Sequence, residues 1–476
     1  MSLYNIILAG GVGKRLWPVS TKHLPKQFIK FSQKSFYQKT LLRYTSIIPA
    51  ENSYLVVNKH NFSLAQQQLV ECGLSANFIV EQEAKNTAAS CLLAALHIYQ
   101  LDPNAIICIT PTDHYLSAEE KYKELIQKGC HYIKENSGII VIGTNIREPS
   151  SDHGYLRYTK AEKNGIMLVE EFIEKPATDL ASLLYKQKET CAWNMGVYIA
   201  NAKDFINEVK VIDGSFVEDC EKILEDSLVL KEDAFLMLEA NKMQKLPSTS
   251  IEHCFFSQYK GLKAIHWHEE WEDVGTWAGL LRYAPTSEGC LYNESKNSFL
   301  YSSSGKFDKN IITFGIDNLC LIETDTTLFI TNKKKVNELP TITSNLGQSD
   351  NYQTAEINQE KTKITPWGIY KVLTELEGIK VKLLIINPQG RLSLQYHQKR
   401  SEHWMIIKGT AHIELNGKEQ KLVEGDSIFV PAFTKHRVSN YGNESLEIIE
   451  IQLGDYLEED DIVRLDDLYG RIKTER

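Results

Sequence analysis

Tyr4-Asn5-Ile6-Ile7-Leu8-Ala9-Gly10-Gly11-Val12-Gly13-Lys14-Arg15-Leu16-Trp17-Pro18, followed by Pro25-Lys26-Gln27-Phe28, is where the chain shows its architecture. Tyr4 to Ala9 reads as a short buried strand. Three glycines directly after it let backbone N–H groups come close to an anion. Lys14, Arg15 and Lys26 add positive charge, so the segment suits a polyphosphate. Two familiar phosphate patterns do not fit. A P-loop needs Gly where Leu8 stands and Ser or Thr where Arg15 stands. A dinucleotide fingerprint needs a third glycine at Leu16.

Outward from that loop, apolar strands alternate with helical patterns. Ser53 to Val57, Asn77 to Val80, Ala105 to Thr110 and Gly138 to Gly143 read as strands, and Thr87 to Leu101 as a buried helix. This alternation predicts an α/β domain with a mixed, mostly parallel sheet over residues 1–285. Short β runs separated by Gly, Asn and Asp predict a small β unit over 286–343. Residues 344–364 are polar and read as a linker. Residues 365–476 show many short strands broken by Gly, Asn and Pro, the pattern of an all-β barrel.

The 476 residues carry a net charge of −9, which argues against nucleic acid as a partner. The nine cysteines contain no CxxC pair and read as buried apolar residues in a reducing compartment. No apolar run reaches the ~18–20 residues of a membrane helix, and Met1 leads straight into the first strand. The expectation is a cytoplasmic protein with no membrane partner.

Further motifs fall at strand ends, where such sheets bind ligands. Ile109-Thr110-Pro111-Thr112-Asp113-His114 places Asp113 just past a strand. Glu272-Asp273-Val274-Gly275-Thr276-Trp277 places Asp273 in a glycine turn. Phe172-Ile173-Glu174-Lys175-Pro176, Trp193-Asn194-Met195-Gly196 and Glu83-Ala84-Lys85-Asn86-Thr87-Ala88 complete the set. Asp152-His153-Gly154-Tyr155 departs from the Gly-Tyr-Gly-Tyr pattern usual in the family that these motifs resemble.

Together these motifs resemble the sugar-nucleotide pyrophosphorylases, and the Leu-Trp-Pro and Pro-Lys-Gln-Phe forms are most similar to their mannose-1-phosphate guanylyltransferase branch. The resemblance implies a Rossmann-like nucleotidyltransferase fold. It also implies that Gly10, Gly11, Gly13 and Arg15 hold a triphosphate and that Lys26 steadies the charge of transfer. Asn86 and Thr87 would lie near the nucleotide. Glu174, Lys175 and Asn194 would bind the sugar phosphate. Asp113 and Asp273 would hold Mg²⁺, which neutralises two anions brought together and polarises the α-phosphorus.

The carboxy-terminal barrel carries a second constellation. Gln395 and His397 are two apart on a strand and so share a face. Glu402 follows a turn, and His436 comes two strands later. Imidazole, carboxylate and amide oxygen suit Zn²⁺ or another divalent transition metal. The spacing resembles the cupin motifs. Leu392-Ser393-Leu394-Gln395, Arg400-Ser401-Glu402-His403-Trp404 and Gly454-Asp455-Tyr456 resemble type II phosphomannose isomerases. The resemblance implies proton movement between C1 and C2 of a hexose phosphate. Arg400 is the candidate for its phosphate or for enediolate charge.

The implied substrates are GTP, mannose 1-phosphate and mannose 6-phosphate, and the assembly is compatible with a homodimer. GDP-mannose would then feed polysaccharide synthesis. Two rival readings are a transferase whose cupin is a non-catalytic sugar-phosphate regulator, and a non-catalytic sugar-nucleotide sensor. Intact Lys26, Asp113 and Asp273 argue against the sensor, which has no need of metal carboxylates.

Overall fold

The computed structural model describes residues 2–11, 16–21, 24–158, 165–230, 235–283, 290–293, 298–303, 307, 311–313, 316–324, 327–339 and 362–466. The chain divides into two compact units, residues 1–345 and 346–476.

The first unit opens with β1 (Leu3–Leu8), β2 (Ser53–Asn58), β3 (Asn77–Glu81), β4 (Ile106–Pro111), β5 (His114–Leu116) and β6 (Ile139–Thr144). It continues with β7 (Tyr155–Tyr158), β8 (Ile166–Ile173), β9 (Cys191–Asn201), β10 (Leu228–Leu230), β11 (Phe235–Met237), β12 (Leu262–Trp267) and β13 (Trp271–Asp273). Eleven of these form one sheet in the order β10-β11-β3-β2-β1-β4-β9-β6-β12-β8-β7. The expected parallel character holds from β11 to β4. Beyond β4 the sheet is mixed: β9 enters antiparallel between β4 and β6, and β7 and β8 pair antiparallel. β2 and β6 are buried along their whole lengths, as strands covered on both faces must be. The helix Asn86–Leu101 is apolar nearly all round and lies within the core on one face.

β5 and β13 form a separate antiparallel ribbon with Asp273 opposite His114. The small β unit contains β14 (Cys290–Asn293), β15 (Phe299–Ser302), β16 (Ile311–Thr313), β17 (Leu319–Glu323) and β18 (Leu328–Asn332). It does not bury its apolar side chains alone. Phe299, Tyr301, Cys320 and Ile322 share one cluster with Leu16, Val19, Val274 and Trp277. Trp277 Nε1 donates to the carbonyl of Trp17 at 2.8 Å, tying the amino-terminal loop to the glycine turn after Asp273.

The second unit is all β. Its strands are β19 (Thr362–Thr365), β20 (Gly368–Leu376), β21 (Ile379–Ile386), β22 (Gln395–His397), β23 (Arg400–Lys408) and β24 (Thr410–Leu415). They are followed by β25 (Lys418–Val423), β26 (Ser427–Val430), β27 (His436–Ser439), β28 (Leu446–Gly454) and β29 (Ile462–Arg464). One sheet runs β19-β20-β21-β28-β23-β26 and the other β25-β24-β27-β22-β29. Trp404, Ile406, Ile413, Val438 and Ile448 belong to one large apolar cluster. Residues 362–364, expected within the linker, belong to β19, which pairs with β20. Their polar composition hides the strand because it lies at a sheet edge, half exposed. The rest of the expected linker lies outside the described residues. Among the described residues no helix is long and apolar enough to cross a membrane.

Candidate active sites

The glycine loop leaves the end of β1 under a buried clamp. Gln27 Nε2 donates to the carbonyls of Ala9 at 2.8 Å and Gly11 at 2.9 Å. Asn58 Nδ2 donates to the carbonyl of Gly10 at 2.6 Å. A Cβ on Gly10 would lie 3.3 Å from Glu81 Oε2, so the loop passes close over that carboxyl. Burial pushes the Glu81 carboxyl up to about 7, partly offset by a hydrogen bond from Ser90 Oγ at 2.5 Å. Ser90 Oγ also lies 3.1 Å from the carbonyl of Asn86, which ties Glu81 to the start of the central helix. Gly13 and Arg15 lie outside the described residues.

The β5–β13 ribbon brings Asp113 and Asp273 together. Val274 N donates to the carbonyl of Asp113 at 3.0 Å, and Gly275 N donates to Asp273 Oδ1 at 2.7 Å. Lys26 Nζ contacts Asp113 Oδ2. A Cβ on Gly275 would fall among these groups, 2.7 Å from Asp273 Oδ1 and 3.1 Å from Asp113 Oδ2, and against Lys26 Nζ. The two carboxylates and the ammonium therefore surround one small cradle. Its oxygen donors suit a hard divalent cation. Beneath it, the buried Glu272 is gripped by Arg147 Nη2 at 2.7 Å and Arg282 Nη1 at 3.0 Å, which fixes the ribbon. Asp273 also borders an open cavity with His153, Thr276 and Gly279.

Asn194, Thr87 and Glu174 meet around a residue that the motifs did not reveal. Asn194 Nδ2 donates to Tyr198 Oη at 3.0 Å, and Tyr198 Oη donates to Glu252 Oε1 at 2.9 Å. Thr87 Oγ1 lies 3.4 Å from Glu252 Oε2. Burial first, and then the charge of Glu174, raise the Glu252 carboxyl. Lys175 Nζ lies 2.5 Å from Glu174 Oε1. A Cβ on Gly154 would lie 2.9 Å from Glu174 Oε2, and the Gly154 carbonyl accepts from Asn194 N at 2.8 Å. The departure at 152–155 thus keeps the glycine that packs closely against Glu174 and Asn194. Thr87 stands with this group around Glu252, and Asn86 Oδ1 accepts from Thr87 N at 2.9 Å on the exposed side. Glu252 sits in a single-turn π-helix, Glu252–Phe256, a shape often found at functional sites.

In the barrel, His397, Glu402 and His436 are buried with their ligand atoms within 4.8 Å of one another. Gln395 pairs with His436 across β22 and β27 and lines the same cavity as Glu402. His397 Nε2 is 3.0 Å from Glu402 Oε1 but forms no aligned hydrogen bond. Both His397 ring nitrogens and His436 Nε2 are buried without a hydrogen-bond partner. Orphaned buried nitrogens are costly, and a cation bound between them would satisfy them. His436 Nδ1 faces the carbonyl of Thr434 at 2.8 Å, the partner that holds a ligating imidazole with Nε2 free to bind. Burial works to raise the Glu402 carboxyl. His397, His436 and Arg400 overcome this and hold it well below the usual carboxylate range.

Arg400 is buried with Nε 3.2 Å from Glu402 Oε1 and Nη1 2.9 Å from the carbonyl of Glu458. Trp404 Nε1 donates to Glu402 Oε2 at 3.1 Å. Three further polar residues, Lys382, Glu450 and Gln452, face the cavity and are absent from the expected site. Each is a polar residue within a mainly apolar strand, but β21 also carries Lys380 and β28 also carries Glu447, so the pattern alone does not single them out. Burial first, then Glu402, pushes the Glu450 carboxyl up to about 8.

Two family models match the chain. The Nucleotidyl transferase model matches residues 4–288, and the Mannose-6-phosphate isomerase C-terminal model matches residues 352–467. Mannose-1-phosphate guanylyltransferase RfbM of Salmonella typhimurium is 29% identical over 480 residues, covering 99% of this chain and 98% of that protein. Xanthan biosynthesis protein XanB of Xanthomonas campestris is 29% identical, with 98% of each chain covered. The crystal structure of a Thermus thermophilus protein named mannose-1-phosphate geranyltransferase has a TM-score of 0.61 at 24% identity, covering 73% of this chain and 99% of that one. That structure shares the fold.

Proposed function

Because the chain belongs to the nucleotidyl transferase family, we propose that its first unit makes GDP-mannose and pyrophosphate from GTP and mannose 1-phosphate, and that its second interconverts mannose 6-phosphate and fructose 6-phosphate. The observation that carries the first activity is the cradle of Lys26, Asp113 and Asp273 around Gly275.

Transfer is a single displacement. An oxygen of the sugar 1-phosphate attacks the α-phosphorus in line, and pyrophosphate leaves. No protein nucleophile is required, so the protein acts by positioning and by neutralising charge. Gly10 and Gly11, with Gly13 and Arg15, hold the triphosphate on a loop that Gln27 and Asn58 keep open. Lys26 supplies positive charge at the reacting phosphates. Glu174 and Asn194 accept and donate hydrogen bonds to sugar hydroxyls, and Lys175 faces the sugar phosphate. Asp113 and Asp273 would hold Mg²⁺, whose role when bound is to neutralise the two anions and polarise the α-phosphorus.

In the barrel, Gln395, His397, Glu402 and His436 would hold Zn²⁺ or another divalent transition metal, which when bound polarises the oxygens on C1 and C2 of the open-chain sugar. Arg400 positions Glu402 and adds positive charge where the enediolate forms. No mutase is implied by either site, so a separate enzyme must move the phosphate between O6 and O1.

Pyrophosphate release across a panel of nucleoside triphosphates and sugar 1-phosphates tests the first reading. GTP with mannose 1-phosphate is expected to give the highest kcat/KM. Asp273→Asn is expected to abolish release with the fold intact, and near-normal turnover would remove the cradle from the mechanism. Failure of the metal-loaded chain to convert fructose 6-phosphate would leave the barrel as a regulatory module.

A further inference from the structure

The cavity beside the three metal-type residues contains more charge than a cation and a sugar phosphate require. Glu450, Lys382 and Glu402 all line it, as do Arg400 and Glu459. The strand register explains this. Lys382 lies opposite Glu450 across β21 and β28, while Trp404 lies opposite Glu450 and Glu402 opposite Gln452 across β23 and β28. Side chains of residues 450 and 452 therefore share the face that carries Glu402. Burying such groups costs several kcal/mol each, and apolar residues in place of buried ion pairs are often as stable or more so, so a packing role does not account for them.

Gln452 links the acids. Its Nε2 donates to Glu402 Oε1 at 3.2 Å and to Glu450 Oε1 at 2.7 Å, so Glu450 stands one amide away from the metal-type carboxylate without being a ligand. Gln452 Oε1 is buried with no hydrogen-bond partner and offers an acceptor to a sugar hydroxyl. The other acids of the cavity are committed. Glu402 receives Arg400, Trp404 and Gln452. Glu459 receives Lys382 Nζ at 2.6 Å, whereas Glu450 is 3.9 Å from that ammonium, beyond hydrogen-bond reach.

Resting on the isomerase reading above, we infer that Glu450 is the catalytic residue that carries the proton between C2 and C1. In the aldose-to-ketose direction its carboxylate takes the proton from C2. The C2–H electrons form the C1=C2 bond, and the C1 carbonyl pair moves onto O1. The hydroxyl proton of O2 then passes to O1 as the O2 carbonyl forms, and the C1=C2 electrons take the proton back from Glu450 at C1. Nothing is oxidised overall and no further reactant is consumed. Gln452 and Lys382 are positioning residues that aim this carboxylate.

An epoxide analogue of the substrate, 1,2-anhydromannitol 6-phosphate, tests the assignment without turnover. The attacking carboxylate opens the ring and keeps it as an ester that peptide mass spectrometry locates. Glu450 is expected to carry the ester, and excess fructose 6-phosphate is expected to protect it. In the full chain, Glu450→Gln is expected to lower isomerase kcat by about 10²–10⁴. KM should stay within about threefold, the signature of a role confined to the transition state. Bound metal and pyrophosphate release should be unchanged. An ester on another carboxylate, or a Glu450→Gln chain isomerising within about threefold of the parent, overturns the inference and leaves the isomerase reading standing. A parent chain that neither isomerises nor takes up the epoxide removes both.

Discussion

The carboxylate of Asp113 is engaged by the ammonium of Lys26, a residue 87 positions earlier in the chain. Asp113 lies just past β4 and Lys26 sits in a short turn beyond the glycine loop. Their contact closes the loop against the ribbon that carries Asp273. The pair is largely buried, so its charge acts where water cannot screen it fully.

Lys26→Met should therefore lower guanylyltransferase kcat by about 10²–10³, the usual effect of removing one preorganised charge donor. Isomerase activity in the same chain should not change. Pyrophosphate release and fructose 6-phosphate conversion, measured on one preparation, check both halves. A loss of both activities would point to misfolding instead.

Gln27→Leu removes the clamp on the Ala9 and Gly11 carbonyls. Leaving buried acceptors unpaired should cost about 1–3 kcal/mol. The glycine loop would also lose its position, so KM for GTP should rise more than kcat falls. Urea unfolding and steady-state kinetics read the two effects. Unchanged KM would show that the loop holds its shape without Gln27.

Stripping the barrel metal with a chelator, then restoring only Mg²⁺, should abolish isomerisation and spare nucleotidyl transfer. Adding back a transition metal should restore it. The orphaned nitrogens of His397 and His436 imply that the stripped barrel is less stable. Calorimetry should show its transition move down on stripping and return with metal. Full isomerase activity in the stripped chain would refute the metal assignment.

Glu81 predicts a pH dependence of stability. Its carboxyl is raised from 4.5 to about 7 by burial, so between those values the folded chain keeps a proton that the unfolded chain has lost. Stability from this group is therefore full below about 4.5 and falls as pH rises towards 7. Glu81→Gln should flatten that decline and stabilise the chain above pH 7, by at most about 3 kcal/mol. Denaturant unfolding at a series of pH values checks the sign. A Glu81→Gln chain less stable than the parent at high pH would contradict it.

Much of the fold is legible in the order of residues. The strand edges of β2 and β6 match the apolar runs to within a residue, because period and turn residues are local properties. The motifs around Asp113, Asp273, His397 and His436 are visible because each sits at or just beyond a strand boundary. Glu252, Glu450 and Lys382 are not visible in the same way. Each interrupts an apolar or small-residue segment, and such an interruption can equally mark an exposed edge.

The linear chain thus specified the loop chemistry, the alternation of strands and helices, and the set of groups able to bind phosphate or metal, since all of these follow from neighbouring residues. Folding added the juxtapositions. It seated Gly275 between Asp113 and Asp273, stacked the small β unit on Leu16 and Trp277, and turned Glu450 inward beside Glu402. Those relations depend on strand register and on packing between segments far apart in the chain, and no local pattern encodes such distances.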